Sequence, residues 1–590
     1  MSNVRTILPP QAAEIDEFER ESVRFQAGEW DPNEFIGYRT SRGVYGQRQA
    51  DEQMIRIKVP LGILSADQMD VVGDIAEKYT GMGRAHLTTR ENFQIHFTKL
   101  DDVATIMRDL ADAGLTTREA CGNTVRNVTG APLAGVCPRE PFDTTPYAVA
   151  YARHFLRHPV TQKLPRKFKT SFSCCDQDDA ISGIHDLGFV PMVVDGVRGF
   201  RMTVGGGTAI FQRVALLLSE FVPMTEFLKV SEAVLRVFNQ CDELRVNRQR
   251  ARLKFHVHKV GIDVFRQEVE DELAKPWAQD WHPIENENEP EQIATALGPI
   301  DDGRELTGVA SSPTDSVGFT RWVKSNVVPQ KQEGFRAVTV KVPVGNLSPT
   351  HLREVAKLSR TYAAGEVRTT PQQNLVLRWV REDRLPQVHA ALVELGLGNR
   401  ANVLTDVTSC PGTDSCKLGV TGSMQLAERL PDEIADLEDE VLGGLHIKIS
   451  GCPNGCGQHH IADIGLEGAS TKVGSVTLPC YHLYLGGEYT GGEVTSGDGE
   501  TLIGARAGIR LPAKNVPDAV RLILLAYRQD RNPDEDFRPF VDRMGPQFFK
   551  DILAELMVTP VLGPDTVHFF QDFGRDTLFQ VERGEGECMV

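Results

Sequence analysis

Four cysteines are grouped in two loops of this sequence: Cys410 and Cys416 in "SCPGTDSCK", and Cys452 and Cys456 in "SGCPNGCGQHH". The spacing is C-x5-C, a gap of 35 residues, then C-x3-C. Both pairs sit among Gly, Pro, Ser and Asn, so the backbone can wrap closely around an inorganic core. Four thiolates suit zinc or an iron–sulfur cluster. Structural zinc prefers a tighter C-x2-C knuckle, which favours a 4Fe-4S cluster over zinc. A second group of chemically useful residues is cationic. In "HLTTRENFQIHF" the period-two alternation puts Arg90, Asn92, Gln94 and His96 on one face, and Phe93, Ile95 and Phe97 on the other. In "RKFK" Lys167 and Lys169 point one way and Phe168 the other. Alone, such a lysine strand would read as a solvated sheet edge.

The elements that position these residues occur twice. "MIRIKVPLGILS" (54–65) aligns with "AVTVKVPVGNLS" (337–348), identical at six of twelve positions. "LTTRENFQIHF" (87–97) parallels "RTTPQQNLVLR" (368–378), "IHDLGF" (184–189) parallels "IADIGL" (461–466), and "TVGGG" (203–207) parallels "YLGG" (484–487). Residues 54–270 and 337–545 are therefore two copies of one module. A polar connector near 276–330 joins them. "MIRIKV" alternates as a strand. "SADQMDVVGDIAEKY" and "SPTHLREVAKLSRTY" each start with a Ser placed to cap a helix. These patterns predict an α+β protein with a pseudo-twofold axis and a central cleft. The alignment sets Cys175 opposite Cys452, Asp179 opposite Cys456, and Arg90 opposite Pro371. One half is expected to hold metal and the other charge.

Composition bounds the function. The 590 residues suggest several domains, and the net charge of −17 argues against a general nucleic-acid binder. No apolar run is long enough for a membrane span, and the first residues lack a secretion signal, so a cytoplasmic location is expected. The eleven cysteines read as reduced thiols and metal ligands rather than a disulfide framework.

The cysteine pairs, with "LTTRENFQIH" (87–96), "CGNTVRNVTGAPLAG" (121–135), "LPRKFKTSF" (164–172) and "VGGGTA" (204–209), resemble the siroheme-dependent sulfite and nitrite reductases over about 50–545. The resemblance implies two ferredoxin-like half-domains (51–135 and 331–405) and two siroheme/Fe-S-type α/β domains (136–275, without a cluster, and 406–545). An N-terminal arm (1–50), a linker (276–330) and a C-terminal extension (546–590) complete the chain. It also implies a 4Fe-4S cluster on Cys410, Cys416, Cys452 and Cys456, with Cys456 bridging to the siroheme iron. Arg90, Arg126, Lys167 and Lys169 are implied to face the anionic substrate. Arg252, Lys254, Asn374 and the glycines 205–207 are candidates for siroheme carboxylate contacts.

In the family that the sequence resembles, sulfite-reducing members tend to carry Lys at the second position of K-x-K and plant-type nitrite reductases Asn, so Lys169 implies six-electron reduction of sulfite to sulfide. "CGNTVRNVTGAPLAG" looks closer to nitrite reductases. Some relatives link a cysteine just before the second Arg to a tyrosine. Thr124 stands in that stretch here, so no link is expected although Tyr45 is present. With no flavin or nicotinamide module in view, electrons must come from a ferredoxin or a flavoprotein subunit. The protein is otherwise expected to be a monomer. His459 and His460 read as supporting or surface residues, Cys174–Cys175 as a buried remnant of the repeat, and Cys588 as incidental. The competing readings are an iron–sulfur electron-transfer or sensor protein without siroheme, and a zinc-stabilised binding module.

Overall fold

The computed structural model describes residues 6–281, 316–488, 501–582 and 584. Cys588 and most of the expected connector lie outside them. The expected α+β architecture in two related copies is present. The repeated "KVP(L/V)G(I/N)LS" segments show how the copies combine. In each, a residue with left-handed backbone, Leu61 (φ 54°) or Val344 (φ 43°), precedes a glycine and turns the chain away from its own sheet. A side chain on Gly62 would come within 2.4 Å of the Thr369 carbonyl, and one on Gly345 within 2.7 Å of that of Leu87. The chain then enters the other copy's sheet. Ile63–Ser65 pairs with Glu366–Thr369, and Asn346–Leu347 pairs with Ala85–Leu87.

The resulting antiparallel sheets run Val44–Gly46, Glu52–Ile57, Phe93–Lys99, Ala85–Leu87, Asn346–Leu347, and Val327–Pro329, Phe335–Val340, Leu375–Arg381, Glu366–Thr369, Ile63–Ser65. Helices Ala66–Tyr79 and Pro349–Tyr362 follow the exchanged strands and pack on each other. Ser65 with Gln68, and Ser348 with His351, form the expected capping boxes. One apolar core, from Ile55 and Phe93 through Leu377, serves both copies.

Two further sheets carry the cysteine loops and most of the cations. The first orders Leu216–Pro223, Val197–Val204, Leu187–Val194, Phe168–Phe172 and Val125–Gly130. The second orders Thr408–Ser409, Ile447–Ser450, Ile464–Val473, Val476–Leu485 and Ala505–Pro512. Each mixes parallel and antiparallel pairs and has its own core. The repeated lysines tie these bodies to the central sheets. Buried Lys58 donates to the Val125 carbonyl (3.2 Å), and Lys341 to that of Thr405 (2.6 Å). "TVGGG" and "YLGG" also coincide: Gly206 bonds to the His185 carbonyl (2.8 Å) and Gly487 to that of Ala462 (3.0 Å).

The alignment of "LTTRENFQIHF" with "RTTPQQNLVLR" needs a one-residue correction. Thr88 bonds to the Asn92 carbonyl (2.9 Å) and Thr370 to that of Asn374 (3.0 Å). Glu91 (φ 60°) and Gln373 (φ 65°) take the same left-handed turn. Arg90 therefore stands opposite Gln372, not Pro371.

Candidate functional site

The cavity between the copies encloses about 1660 Å³ of empty space, its solvent-open mouth included. Its wall includes Arg90, Arg126, Lys167 and Lys169 as well as Cys410, Cys416, Cys452 and Cys456. Segments some 360 residues apart in the chain thus meet at one place. A larger and more open hollow, about 2250 Å³ by the same measure, beside Trp322, His389 and Arg400 holds none of these residues.

Strand parity places the cations as expected. Thr88, Arg90, Asn92, Gln94 and His96 line the cavity, while Phe93 and Ile95 lie in the core. Lys167 and Lys169 reach the cavity and Phe168 is buried behind them. Arg90 donates to the Asn127 carbonyl and to Thr129 Oγ1 (3.3 Å). Arg126 is held by the carbonyls of Gly122 and Ala120, both at 2.8 Å, and by Tyr45 Oη at 3.2 Å. Burial, opposed in part by Glu91, lowers Arg90 to about 9. Burial next to Arg252, Arg90 and Lys167 pushes the Lys169 ammonium well below its usual range, so it releases a proton readily.

The cysteine loops are held by close backbone contacts. A side chain on Gly457 would come within 2.0 Å of the Ile449 carbonyl, so the turn after Cys456 admits only glycine. Gly451 N–H points at Cys410 Sγ (3.3 Å) and Ser423 Oγ donates to the Cys410 carbonyl (2.9 Å). The first copy grips the loops of the second. Arg48 donates to the Gly419 carbonyl (2.7 Å), Arg84 pairs with Asp414 (2.7 Å), and Thr89 donates to the Cys456 carbonyl (2.8 Å). Cys452 is buried and Cys456 exposed to the cavity. Burial raises the Cys410 and Cys452 thiols above their ordinary value. The C-terminal segment reaches the same region: Asp572 accepts the Gly422 N–H (2.7 Å), and Phe579 packs on Val420 and Cys452.

Other expected contacts are not at the cavity wall. Asn374 uses its amide internally, accepting the Val342 N–H (2.9 Å) and donating to Asp406 (2.7 Å). Its partner in the repeat, Asn92, makes the equivalent bond to Val59 N–H (3.1 Å) and does line the cavity. Arg252 is taken by Asp186, at 3.0 and 2.6 Å. Lys254 donates to the carbonyls of Thr208 (2.7 Å) and Gly207 (3.3 Å). Both support the glycine segment from behind. His459 and His460 are buried with rings 3.8 Å apart, so a surface role is excluded for them. The thiol that packs on Tyr45 is Cys121, together with Met54. Cys121 stands five residues before Arg126, and Thr124 is not part of that cluster.

Sequence reasoning passed over Arg56, Arg166, His86 and His185, all of which line the cavity. Arg56 shares strand parity with Lys58, Arg166 adjoins "KFK", and His185 served only to mark the repeat. His185 Nδ1 lies 2.7 Å from the Ile181 carbonyl, and burial beside Arg90 and Lys169 holds the ring neutral. Its other nitrogen, 3.4 Å from Thr129 Oγ1, carries the lone pair in that tautomer.

Comparison with known proteins agrees with this arrangement. The family model for the nitrite and sulphite reductase 4Fe-4S domain matches residues 121–277 and 400–560. That for the nitrite/sulfite reductase ferredoxin-like half domain matches 45–113 and 328–395. The chloroplastic ferredoxin–nitrite reductase of Zea mays is 32% identical, the match covering 71% of this chain and 70% of the relative. Sulfite reductase [ferredoxin] 2 of Mycolicibacterium paratuberculosis is 31% identical over 74% and 73%. The structure of the Mycobacterium tuberculosis NirA protein superposes with a TM-score of 0.74 at 26% identity, covering 92% of this chain and 98% of that one. Among the described residues no helix is long and apolar enough to cross a membrane.

Proposed function

Because this chain belongs to the nitrite and sulfite reductase family, we propose that it reduces sulfite to sulfide in a six-electron reaction, with ferredoxin as electron donor. It is an oxidoreductase of that family and carries its cofactors, a siroheme and a 4Fe-4S cluster. The residues present fit both groups: four thiols on glycine-rich loops line one cavity together with Arg90, Arg126, Lys167 and Lys169. We assign the cluster to Cys410, Cys416, Cys452 and Cys456. Cys456, the thiol exposed to the cavity, would be the residue placed to hold both groups. When bound, the coupled cofactors supply the electrons one at a time to the anion.

The observation that carries the substrate assignment is the cation set lining the same cavity. Arg126, fixed by three hydrogen bonds, presents a rigid charge that orients an oxyanion. Arg90 and Lys167, both half-buried at the cavity, add charge that strengthens anion binding. Lys169 is the proton donor: its Nζ is charged while the anion is present and gives up a proton as an oxygen leaves as water. Sulfite, the more highly charged anion, gains more from this fourth cation than nitrite does. Nitrite is the second reading, supported by the nitrite reductases among the relatives and by the "CGNTVRNVTGAPLAG" segment.

Steady-state assays with reduced methyl viologen test the choice. Lys169→Asn removes one charge near the anion, an interaction worth about 4 kcal/mol at 4 Å in an effective dielectric of 20. It should lower sulfite kcat/KM at least about tenfold more than nitrite kcat/KM. Equal losses would reject sulfite as the preferred anion. Absence of a siroheme absorption band in siroheme-replete cells would reject the enzyme reading altogether.

A further inference from the structure

We propose that Cys137, Cys174, Cys175 and Asp179 form a mononuclear site for a thiophilic divalent cation, of which Zn²⁺ is the type, in the half of the molecule without the four-cysteine set. The Sγ atoms of the three cysteines all lie within 4.8 Å of one another, and all three residues are buried. Cys174 Sγ lies 3.8 Å from each carboxylate oxygen of Asp179. Among the described residues Asp179 forms no ion pair, and its carboxylate stands beside the three-thiol group on the Cys174 side.

Strand register shows where these residues come from. Thr129, Ser171 and Gly188 are neighbours across the first α/β sheet, as Thr408, Lys448 and Gly465 are across the second. Counting from these rungs, Cys137 falls on Cys416, Cys175 on Cys452 and Asp179 on Cys456. The fourth cluster position, Cys410, corresponds to Ala131. Cys174 falls on Gly451 and so is an addition, not a remnant of the repeat. The first copy has lost one ligand, exchanged a second for a carboxylate, and gained a thiol one residue away.

The distances select the type of metal centre. A tetrahedral zinc with Zn–S bonds of about 2.3 Å holds its sulfurs nearly 4 Å apart. A cubane holds its outer thiolates much farther apart, because each lies beyond a different iron. The surroundings suit thiolates: the Arg139 N–H points at Cys137 Sγ (3.4 Å), and the Gln177 N–H at Cys175. Such N–H donors orient metal-bound sulfur. Arg139 and Asp176 link the two loops at the surface with an exposed ion pair at 2.8 Å. The metal would join the 131–140 loop to the 174–179 loop, as the cluster does in the other half.

The test uses the holoenzyme, purified anaerobically, washed with a weak chelator and analysed for zinc and iron. Wild type should hold about one zinc per chain, with an X-ray absorption spectrum showing a sulfur-dominated shell near 2.3 Å. Cys175→Ser should lower zinc affinity about tenfold or more while iron per chain and the visible spectrum stay unchanged. Because a misfolded variant would lose zinc trivially, the wild-type spectrum is decisive. Less than about a tenth of a zinc per chain after anaerobic reloading, a shell of nitrogen and oxygen only, or a disulfide among these cysteines would overturn the proposal.

Discussion

Asp186 is the residue on which the cationic wall depends. It is fully buried and accepts both Arg252 bonds and the Lys169 main-chain N–H at 2.8 Å. Asp186→Asn removes the only charge that, among the described residues, balances Arg252 at bonding distance, and turns an amide N–H₂ toward one of three donors. Breaking a buried pair from one side costs about 3–5 kcal/mol, because the remaining charge stays buried. In a body of this size each kcal/mol lowers Tm by about 2–4 °C, so the variant should unfold about 6–20 °C earlier. Differential scanning calorimetry at one scan rate and neutral pH reads this directly. The control is Asp186→Leu with Arg252→Met. An apolar pair of similar volume avoids the orphan charge and should recover most of the loss. A loss under about 2 °C in the single variant, or a double variant as unstable as the single, would refute the argument.

Two further outcomes follow from other parts of the site. Burial lowers His86 to about 4 from an ordinary 6.5, with Asn346 accepting at 3.0 Å. The unfolded chain thus takes up a proton that the folded chain refuses. About 3 kcal/mol of stability, complete above pH 6.5, is lost as pH falls to 4. His86→Gln should flatten this acid limb in urea titrations, and an unchanged limb would contradict it. At the C-terminus, Phe579→Ala removes the ring that covers Cys452 and Val420, which should favour local opening by about 3 kcal/mol. Hydrogen exchange in 570–582 should rise roughly 100-fold and the cluster should bleach faster in air; unchanged exchange would show that Phe579 is not the anchor.

Much of the fold and site was legible because period-two parity and internal repetition are local signals. Parity sorted Arg90, Asn92, Gln94 and His96 from Phe93 and Ile95, and Lys167 and Lys169 from Phe168, as the structure has them. The strand exchange was not legible. "GILS" and "GNLS" look the same whether they pair within a copy or across copies, and only tertiary contacts with Thr369 and Leu87 decide. Left-handed Glu91 and Gln373 hid the true register, since the identical Thr-Thr pairs invited an alignment one residue off.

Residue type also misled wherever a side chain's hydrogen-bonding capacity was already used inside the protein. Arg252, Lys254 and Asn374 have the chemistry to hold a carboxylate-rich cofactor, but the fold uses them on Asp186, Thr208 and Asp406. Arg90 and Arg126 also bond to backbone carbonyls and still reach the cavity. For the arginines the partner makes the difference: a carbonyl leaves the guanidinium's charge unneutralised, whereas Asp186 pairs with Arg252; Lys254, also held by carbonyls, is set apart by its place off the cavity wall. A cation held by neutral acceptors keeps its field available for an anion. By that criterion Arg126 commits its geometry but not its charge, which is the property an anion-reducing site requires.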